Sequence, residues 1–329
     1  MKAPGFWQQG ESRLLASLLA PLGWIYGKIT LNRMAKPGWR APVPVISIGN
    51  FTAGGAGKTP TAMAVVTALQ ARGETPFVLT RGYGGHESGP LRVDTARHTA
   101  ADVGDEPLLL ARHAATIVAR DRAAGAHLAV SQGATCLVLD DALQNPALAK
   151  DFSLAVIDGG FGFGNGFCVP AGPLRAPVSG QLEHVDAVLV IGEDETGAAQ
   201  ALAGKPLHVS HLMPDAGIAS RLHGTEINAF CGIGRPEKFR ATLEALGADV
   251  SGFHAFGDHH TYSDTEAQTL LGIAGHLPLV TTEKDLVRLK GSPALDALAK
   301  RATALPVTIS LPEPLLDTIY RAIDSVRKR

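Results

Sequence analysis

Short apolar, β-branched runs alternate with helical stretches along most of the chain. Strands are predicted at residues 43–48, 76–80, 116–119, 135–139, 154–157 and 187–191. Helices are predicted between them at residues 60–72, 107–113 and 123–132. Because strands that alternate with helices form βαβ units, this pattern predicts an α/β domain with a covered, mostly parallel sheet.

A second alternation follows an irregular stretch that contains Pro206 and Pro214. Strands are predicted there at residues 227–231, 250–254 and 279–282, with helices at 236–246 and 264–274. The pattern therefore predicts a second, smaller α/β domain. The predicted division of the chain is a larger domain at 37–204, a linker at 205–225 and a smaller domain at 226–329.

The amino-terminal segment, residues 1–36, is predicted to be a membrane-associating helix. Residues 14–27 carry no charge, whereas residues 1–40 contain six basic residues and one acidic residue. The uncharged stretch is shorter than the roughly 20 residues that span a bilayer, and Pro21 interrupts it. Such a helix either lies on an anionic membrane surface or packs on the protein's own core, and the sequence leaves both alternatives open.

Composition narrows the class of protein. Apolar residues form 45% of the 329-residue chain and charged residues 19%, as in a folded globular protein. The 30 basic and 31 acidic residues nearly cancel, so no global positive field indicates nucleic acid as a partner. The three cysteines lie far apart without C-x-x-C spacing, which predicts reduced thiols and no zinc site.

A glycine-rich loop follows the first predicted strand and opens a helix with Lys58 and Thr59. Glycines allow several backbone N–H groups to face phosphate oxygens, and the helix dipole adds positive potential. Lys58 is expected to reach the β- and γ-phosphates of ATP, and Thr59 to bind Mg²⁺. The strict motif has glycine where this chain has Thr52. The predicted nucleotide-binding residues are Thr52, Ala53, Gly54, Gly55, Ala56, Gly57, Lys58 and Thr59.

An acidic pair, Asp140 and Asp141, directly follows the apolar strand predicted at 135–139. P-loop enzymes hold Mg²⁺ with a carboxylate at this end of a strand, so the pair is a candidate metal site with Thr59. Acidic residues are also common in turns. The nearby phosphate loop favours the metal site.

The order of motifs resembles that of the tetraacyldisaccharide 4′-kinases, which phosphorylate the lipid A precursor of Gram-negative bacteria. The first motif is the specific one, and the resemblance covers nearly the whole chain. The matching segments are G-N-F-T-A-G-G-A-G-K-T-P (49–60), T-R-G-Y-G (80–84), G-D-E-P (104–107), D-D (140–141), P-A-G-P-L-R (170–175), A-F-C-G-I-G-R-P (229–236), D-H-H (258–260) and T-E-K-D (282–285).

This resemblance implies an ATP- and Mg²⁺-dependent kinase that acts on the 4′-hydroxyl of a tetraacyl glucosamine disaccharide 1-phosphate. It also implies a peripheral enzyme on the cytoplasmic face of the inner membrane, with no obligate protein partner. Asp105 is expected to receive the hydroxyl proton together with His259, in a cleft between the two domains. Asp105 could instead cap a helix, and His260 is a neighbouring alternative to His259.

Arg81 and Arg175 are candidate ligands for anionic groups of nucleotide or substrate. Three positions depart from what the family often has: Ala142 and Asn145, where D-D-A-L-Q-N at 140–145 replaces D-D-G-x-Q-H, and Ala176, which replaces a glutamate. Three other classes compete with this assignment: a partitioning-type ATPase, a kinase of a soluble small molecule and a nucleotide-binding protein without turnover. Ala53 argues against the first class, which places a lysine there, and the apolar amino terminus has no evident use in the second.

Overall fold

The computed structural model describes residues 4–10 and 13–328 and consists of two lobes, each built on a mostly parallel sheet. The α-helices are α1 (Arg13–Met34), α2 (Lys58–Ala71), α3 (Ala100–Val103), α4 (Asp105–Leu110), α5 (Arg122–Ser131), α6 (Val178–Leu182), α7 (Ala216–Leu222), α8 (Pro236–Ala245), α9 (Asp264–Ala274), α10 (Glu283–Leu286), α11 (Pro293–Arg301) and α12 (Glu313–Arg327). The strands are β1 (Val45–Gly49), β2 (Pro76–Thr80), β3 (Leu91–Arg92), β4 (Thr116–Val118), β5 (Cys136–Asp140), β6 (Phe152–Asp158), β7 (Ala187–Ile191), β8 (Leu207–Ser210), β9 (Leu212–Pro214), β10 (Glu226–Cys231), β11 (Asp249–Ala255), β12 (Leu279–Thr282), β13 (Ala302–Leu305) and β14 (Val307–Ile309).

The large lobe is formed by an eight-stranded sheet in the order β3-β4-β2-β5-β1-β6-β7-β8 and by the helices that pack against it. Only β3 runs antiparallel to its neighbour among these described strands. The register pairs Ile48 with Asp140, so β1 and β5 end at the same level. The loops that follow β1, β2, β5 and β6 therefore meet at one edge, which is called here the carboxyl edge.

The small lobe contains a four-stranded parallel sheet, β11-β10-β12-β13, with α8 to α11 packed around it. Its core strand β10 is buried from Ile227 to Cys231. The chain crosses between the lobes through β9 and β14, which pair antiparallel as a two-stranded ribbon. The predicted α/β class, with a parallel P-loop-type sheet, a smaller α/β unit and an amino-terminal helix, is confirmed.

The structure differs from the predicted domain division at two places. The segment 205–225, predicted as an irregular linker, contains β8, β9 and α7, and β8 extends the large sheet beside β7. The carboxyl-terminal helix α12, predicted within the smaller domain, returns to the large lobe and buries Leu315, Ile319 and Ile323 in its core. Local periodicity specifies the type of an element but leaves open which sheet it joins.

The amino-terminal helix α1 has one packed and one exposed face. Gly23 lies so close to the large lobe that a Cβ there would be 2.6 Å from the carbonyl oxygen of Cys168. The opposite face exposes large apolar side chains: Leu14, Leu15, Leu18, Leu22, Trp24, Ile25 and Ile29. By length and composition α1 is the one described helix that could cross a membrane. Residues 1–3 and 11–12 of the predicted segment lie outside the described residues.

Candidate active site

The phosphate loop lies between β1 and α2 at the carboxyl edge. Gly54 and Gly57 have φ angles of 110° and 84°, which residues with a Cβ rarely adopt. A Cβ on Gly57 would also lie 2.8 Å from Cδ1 of Ile191. Lys58 begins α2, and its Nζ donates to the Gly54 carbonyl at 3.2 Å. The loop therefore holds Lys58 close to its own glycines.

The first two residues of the predicted loop have a different role from the glycines. Thr52 forms a β-bridge with Leu174, and the Ala53 N–H donates to the Pro173 carbonyl at 2.7 Å. The Ala53 N–H is therefore occupied by the protein's own backbone. The open part of the loop begins at Gly54, because Cβ atoms built on Gly54 and Gly55 would contact no described atom within 4 Å.

The acidic pair at the end of β5 contains two carboxylates whose pKa values are shifted in opposite directions. Asp140 is 1% exposed, and neither of its carboxylate oxygens has a hydrogen-bond donor among the described residues. Burial, with the neighbouring charges of Glu106 and Asp141, raises the pKa of Asp140 to about 7. For Asp141, burial acts in the same direction, but Lys58 and Arg175 outweigh it and lower its pKa.

Arg175 lies in a buried polar network instead of facing solvent as a free anion ligand. Its Nη1 and Nη2 donate to the two oxygens of Asp141 at 2.8 and 2.9 Å. Nη1 also donates to Gln144, whose Nε2 donates to Gln181 and to the Asn50 carbonyl. This network connects the start of the phosphate loop with Asp141, which has a positive φ of 49°. Arg175 thus orients Asp141 by a bidentate contact.

Asp105 and His259 lie together across the cleft between the lobes. Asp105 is the first residue of α4, whose N-cap is Gly104, and it is 5% exposed. His259 Nδ1 lies 3.1 Å from both carboxylate oxygens of Asp105. The neighbouring His260 contacts Glu266 instead, at 3.0 Å. The geometry therefore distinguishes the two histidines and places His259 at the carboxylate.

Arg288 is a third member of this group that the sequence did not indicate. Its Nε donates to Asp105 at 2.9 Å, and its Nη2 donates to the same oxygen. Its Nη1 donates to Asp285 and to the carbonyl of Gly232. The only signal in the sequence is its position three residues after Asp285 in the T-E-K-D segment, which predicts a shared helical face.

The charges around Asp105 set the protonation of the pair. Burial alone would raise the pKa of Asp105, but the hydrogen bond from His259 and the charge of Arg288 lower it well below the usual range. The hydrogen bond to Asp105 raises the pKa of His259, against the opposing effect of burial. Asp105 is therefore ionised, and His259 holds its proton more tightly than a free imidazole.

Glu106 connects this pair to the phosphate loop. Its Oε1 accepts a hydrogen bond from Thr59 Oγ1 at 3.3 Å and from Lys284 Nζ at 2.6 Å. Burial would raise the pKa of Glu106, but the charges of Lys284 and Lys58 lower it. One continuous cluster therefore contains the predicted residues Lys58, Thr59, Asp140, Asp141, Asp105 and His259. Arg81 follows β2 at the same edge and is exposed.

Comparison with known proteins identifies the family. The profile of the LpxK family, described as tetraacyldisaccharide-1-P 4′-kinase, matches residues 15–324. The chain belongs to the tetraacyldisaccharide-1-P 4′-kinase family. The predicted resemblance is thereby confirmed.

Individual kinases of this family are similar over nearly their whole length. The tetraacyldisaccharide 4′-kinase of Methylobacterium nodulans is 53% identical over 320 residues, which cover 95% of this chain and 93% of that protein. That of a Bradyrhizobium species is 47% identical, with 100% and 97% covered. The structure of LpxK from Aquifex aeolicus in complex with ATP matches with a TM-score of 0.73 and 27% identity, covering 94% of this chain and 100% of that one.

The residues that differ from the 4′-kinase pattern lie in well-packed surroundings. Ala142 and Ala176 are buried, with exposed fractions of 1% and 0%. The Ala176 carbonyl accepts a hydrogen bond from Gln181 at 2.6 Å, and Asn145 accepts one from the Ala147 N–H. Position 176, where the family pattern predicted a glutamate, is therefore fully buried in this 4′-kinase, and its backbone carbonyl is bonded to the Gln181 amide.

Proposed function

We propose that this protein transfers the γ-phosphate of ATP to the 4′-hydroxyl of a tetraacyl glucosamine disaccharide 1-phosphate in lipid A biosynthesis. The observation that carries the proposal is the contact of His259 with Asp105, beside a phosphate loop that presents Lys58 and Thr59. Phosphoryl transfer needs positioning, charge neutralisation and a group that orients the attacking hydroxyl. The cluster supplies all three.

Asp105 and His259 would prepare the hydroxyl. Because Asp105 is ionised, it can accept a hydrogen bond from the sugar and hold that oxygen in line with the phosphate. His259, 3.1 Å away, would share the proton as it leaves the hydroxyl. Lys58 would neutralise the phosphate oxygens from the other side. Arg288 keeps Asp105 oriented throughout.

The donor set fits a magnesium ion. Both oxygens of Asp140 are buried at the end of β5 without a described hydrogen-bond partner, close enough to Glu106 and Asp141 to be affected by their charges. Glu106 in turn accepts a hydrogen bond from Thr59. The described residues contain no group of three acidic, histidine or cysteine side chains that could hold a metal alone. Asp140, Asp141 and Thr59 would therefore bind the ion together with phosphate oxygens and water, as Mg²⁺ prefers. Bound there, the ion would neutralise charge on the phosphates.

The exposed face of α1 supports a peripheral position at the inner membrane, on its cytoplasmic face. The seven large apolar side chains of this face named above are 45–82% exposed. The acyl chains of the lipid substrate lie in a bilayer, so an enzyme that docks on it reaches the sugar hydroxyl from the surface. A soluble substrate would leave this surface without a purpose.

The test follows labelled phosphate from [γ-³²P]ATP onto the glycolipid in detergent micelles. Label in the glycolipid is the expected result, and Lys58→Ala should abolish it. ATP hydrolysis without labelled lipid would favour a P-loop ATPase, and label only in a water-soluble acceptor would favour a kinase of small molecules. Folded protein that gives no labelled glycolipid would exclude the proposed function.

A further inference from the structure

The ion pairs between the lobes share one polarity. In each described pair the carboxylate belongs to the large lobe and the cation to the small lobe. Asp105 pairs with Arg288, and Glu106 pairs with Lys284. A third carboxylate, Asp158, lies at the end of β6 and pairs with Arg235 and Lys238. The first two pairs belong to the cluster that contains Lys58 and Thr59, whereas the Asp158 pairs form a separate contact between the lobes.

Asp158 is held by both of its oxygens. Lys238 Nζ lies 2.7 Å from each oxygen, and Arg235 Nη1 lies 2.9 Å from Oδ2. The Gly160 N–H donates to Oδ1 at 3.0 Å, which fixes the carboxylate on its own lobe. The Arg235 guanidinium also lies over the ring of Phe161, 4.6 Å from its centroid. The lobes are therefore joined here in two ways: by the ion pairs of Asp158 and by the packing of Arg235 on Phe161.

The position of the cations in α8 explains why they need a carboxylate. Arg235 is the N-cap of α8 and Lys238 lies in its first turn, at the positive end of the helix dipole. Cations at this end are unfavourable, whereas an anion is favourable. The only acidic residue in the first turn of α8 is Glu237. Asp158 thus supplies from the large lobe the negative charge that offsets these cations.

The loop at 232–235, which ends at Arg235, contacts the loop that carries His259. The Gly232 carbonyl accepts hydrogen bonds from the His259 N–H at 3.1 Å and from Arg288 Nη1 at 2.7 Å. A Cβ on Gly234 would lie 3.3 Å from the carboxylate of Asp258, so these two loops pack closely. His259 has a positive φ of 55° and depends on such surroundings to keep its conformation. A shift of Arg235 would therefore displace His259.

We propose that Asp158 is a positioning residue for phosphate transfer. Through Arg235 and Lys238 it fixes the loop at 232–235, and through that loop it holds His259 against Asp105. This inference rests on the proposed function, since it assigns Asp158 an effect on the same reaction. Asp158 touches no reacting atom, so its effect falls on turnover instead of on nucleotide binding.

The kinetic test uses Asp158→Asn, with Glu244→Gln as matched control because Glu244 makes a 2.8 Å ion pair within α8. Asp158→Asn should lower kcat by about 10- to 100-fold, the scale on which misplaced groups act, and leave the KM for ATP within about twofold. Glu244→Gln should match wild type, and Asp158→Glu should recover part of the activity. Lys238→Gln, at an exposed position, should show the same split if Asp158→Asn folds poorly.

A double-mutant cycle separates positioning from a general loss of stability. If Asp158 acts through His259, Asp158→Asn should cause no further loss of kcat in a His259→Ala background. Losses that multiply, or an unchanged kcat in the single variant, would overturn the inference. Both outcomes are measured with the glycolipid assay described above.

A distance measurement that needs no turnover tests the role of Asp158 independently of the proposed function. Spin labels at Gln132→Cys and Ala245→Cys, both at exposed positions, report the distance between the lobes. Asp158→Asn should broaden the distance distribution, whereas Glu244→Gln should leave it as in wild type. An unchanged distribution would contradict the role of the Asp158 contact with Arg235 and Lys238, even in a protein with full activity. Broadening in a protein that phosphorylates no glycolipid would retain this role of the contact and reject the proposed function.

Discussion

At the residue scale, Asp105 is the point on which the charges of the cleft converge. It accepts hydrogen bonds from His259 and Arg288, and it receives the N–H of Glu106 at 3.0 Å. Arg288 is itself buried, with 5% of its side chain exposed. The carboxylate therefore neutralises a buried guanidinium, and in the proposed mechanism it also faces the reacting hydroxyl. These roles can be separated by experiment.

Substitution of Asp105 by asparagine should remove turnover and retain nucleotide binding. Loss of the proton-accepting carboxylate is expected to lower kcat by about 10²- to 10⁴-fold. ATP binding, measured by equilibrium dialysis, should change little because Lys58 and the glycines remain. Unchanged turnover would remove Asp105 from the mechanism.

The same substitution should also lower the free energy of unfolding. Removing one carboxylate from a buried ion pair costs up to about 3–5 kcal/mol when the other charge has no further partner. Arg288 keeps its pair with Asp285, so the loss for Asp105→Asn should fall below that limit. Urea unfolding of Asp105→Asn measures this loss, and a matched substitution at an exposed ion pair, Asp324→Asn, should cost much less. Equal losses at the two sites would show that Asp285 alone compensates the charge of Arg288.

The pKa of His259 gives the stability a defined pH dependence. Because the hydrogen bond to Asp105 raises this pKa, the contribution of His259 is fully present below about pH 6.5, the unfolded value. It is lost as the pH rises through the raised folded value. The difference in urea-unfolding free energy between wild type and His259→Gln should therefore be larger at pH 6 than at pH 9. A difference that grows with pH would contradict this sign.

At the scale of elements, helix α1 combines a packed face with an apolar exposed one. The two alternatives that the sequence left open, membrane surface and protein core, correspond to these two faces. The close approach at Gly23 holds the helix on the large lobe. The proposed membrane contact therefore needs no insertion of the whole helix, and we expect that it can be weakened without unfolding the protein.

The double substitution Leu18→Glu and Leu22→Glu should release the protein from vesicles. Each leucine that enters the membrane contributes about 1.5–3 kcal/mol, so affinity should fall at least about tenfold for each one. Co-sedimentation with anionic phospholipid vesicles measures this change. Ile273→Glu, at a position on α9 that is 50% exposed, should bind like wild type. Equal binding of all variants would place the membrane contact elsewhere.

At the scale of the whole molecule, the two lobes are joined by more than the active-site charges. The ribbon of β9 and β14 carries the chain out of and back to the large lobe. Helix α12 then completes the large core, where Ile319 is 1% exposed. Arg72, the C-cap of α2, donates to both oxygens of Asp324 in α12. The end of the chain therefore stabilises the lobe that holds the phosphate loop.

Truncation of a buried side chain in α12 should destabilise the large lobe. Ile319→Ala is expected to cost about 2–5 kcal/mol of unfolding free energy, whereas Asp317→Ala, at an exposed position, should cost less than about 0.5 kcal/mol. Tryptophan fluorescence during urea unfolding measures this directly, because all three tryptophans lie in residues 7–39. A wild-type midpoint for Ile319→Ala would show that α12 is dispensable for this core.

The features that the sequence by itself determined are contiguous along the chain. The strand, the glycine turn and the helix opened by Lys58 form one local unit, and Asp140 is the last residue of its strand. Strands such as β7 and β12 and helix α9 have the predicted bounds, because apolar runs and capping residues are local signals. The joint order of motifs was enough to indicate the family.

Only the tertiary structure decided how distant segments meet. Arg288 contacts Asp105 across 183 positions, Asp158 contacts Arg235 across 77, and β8 and α12 join the large lobe. Arg175, expected at an anionic ligand, turns instead to Asp141. The physical reason is that a buried charge must find its partner in space, and a sheet edge accepts any strand that fits. Neither condition leaves a periodic signal in the sequence.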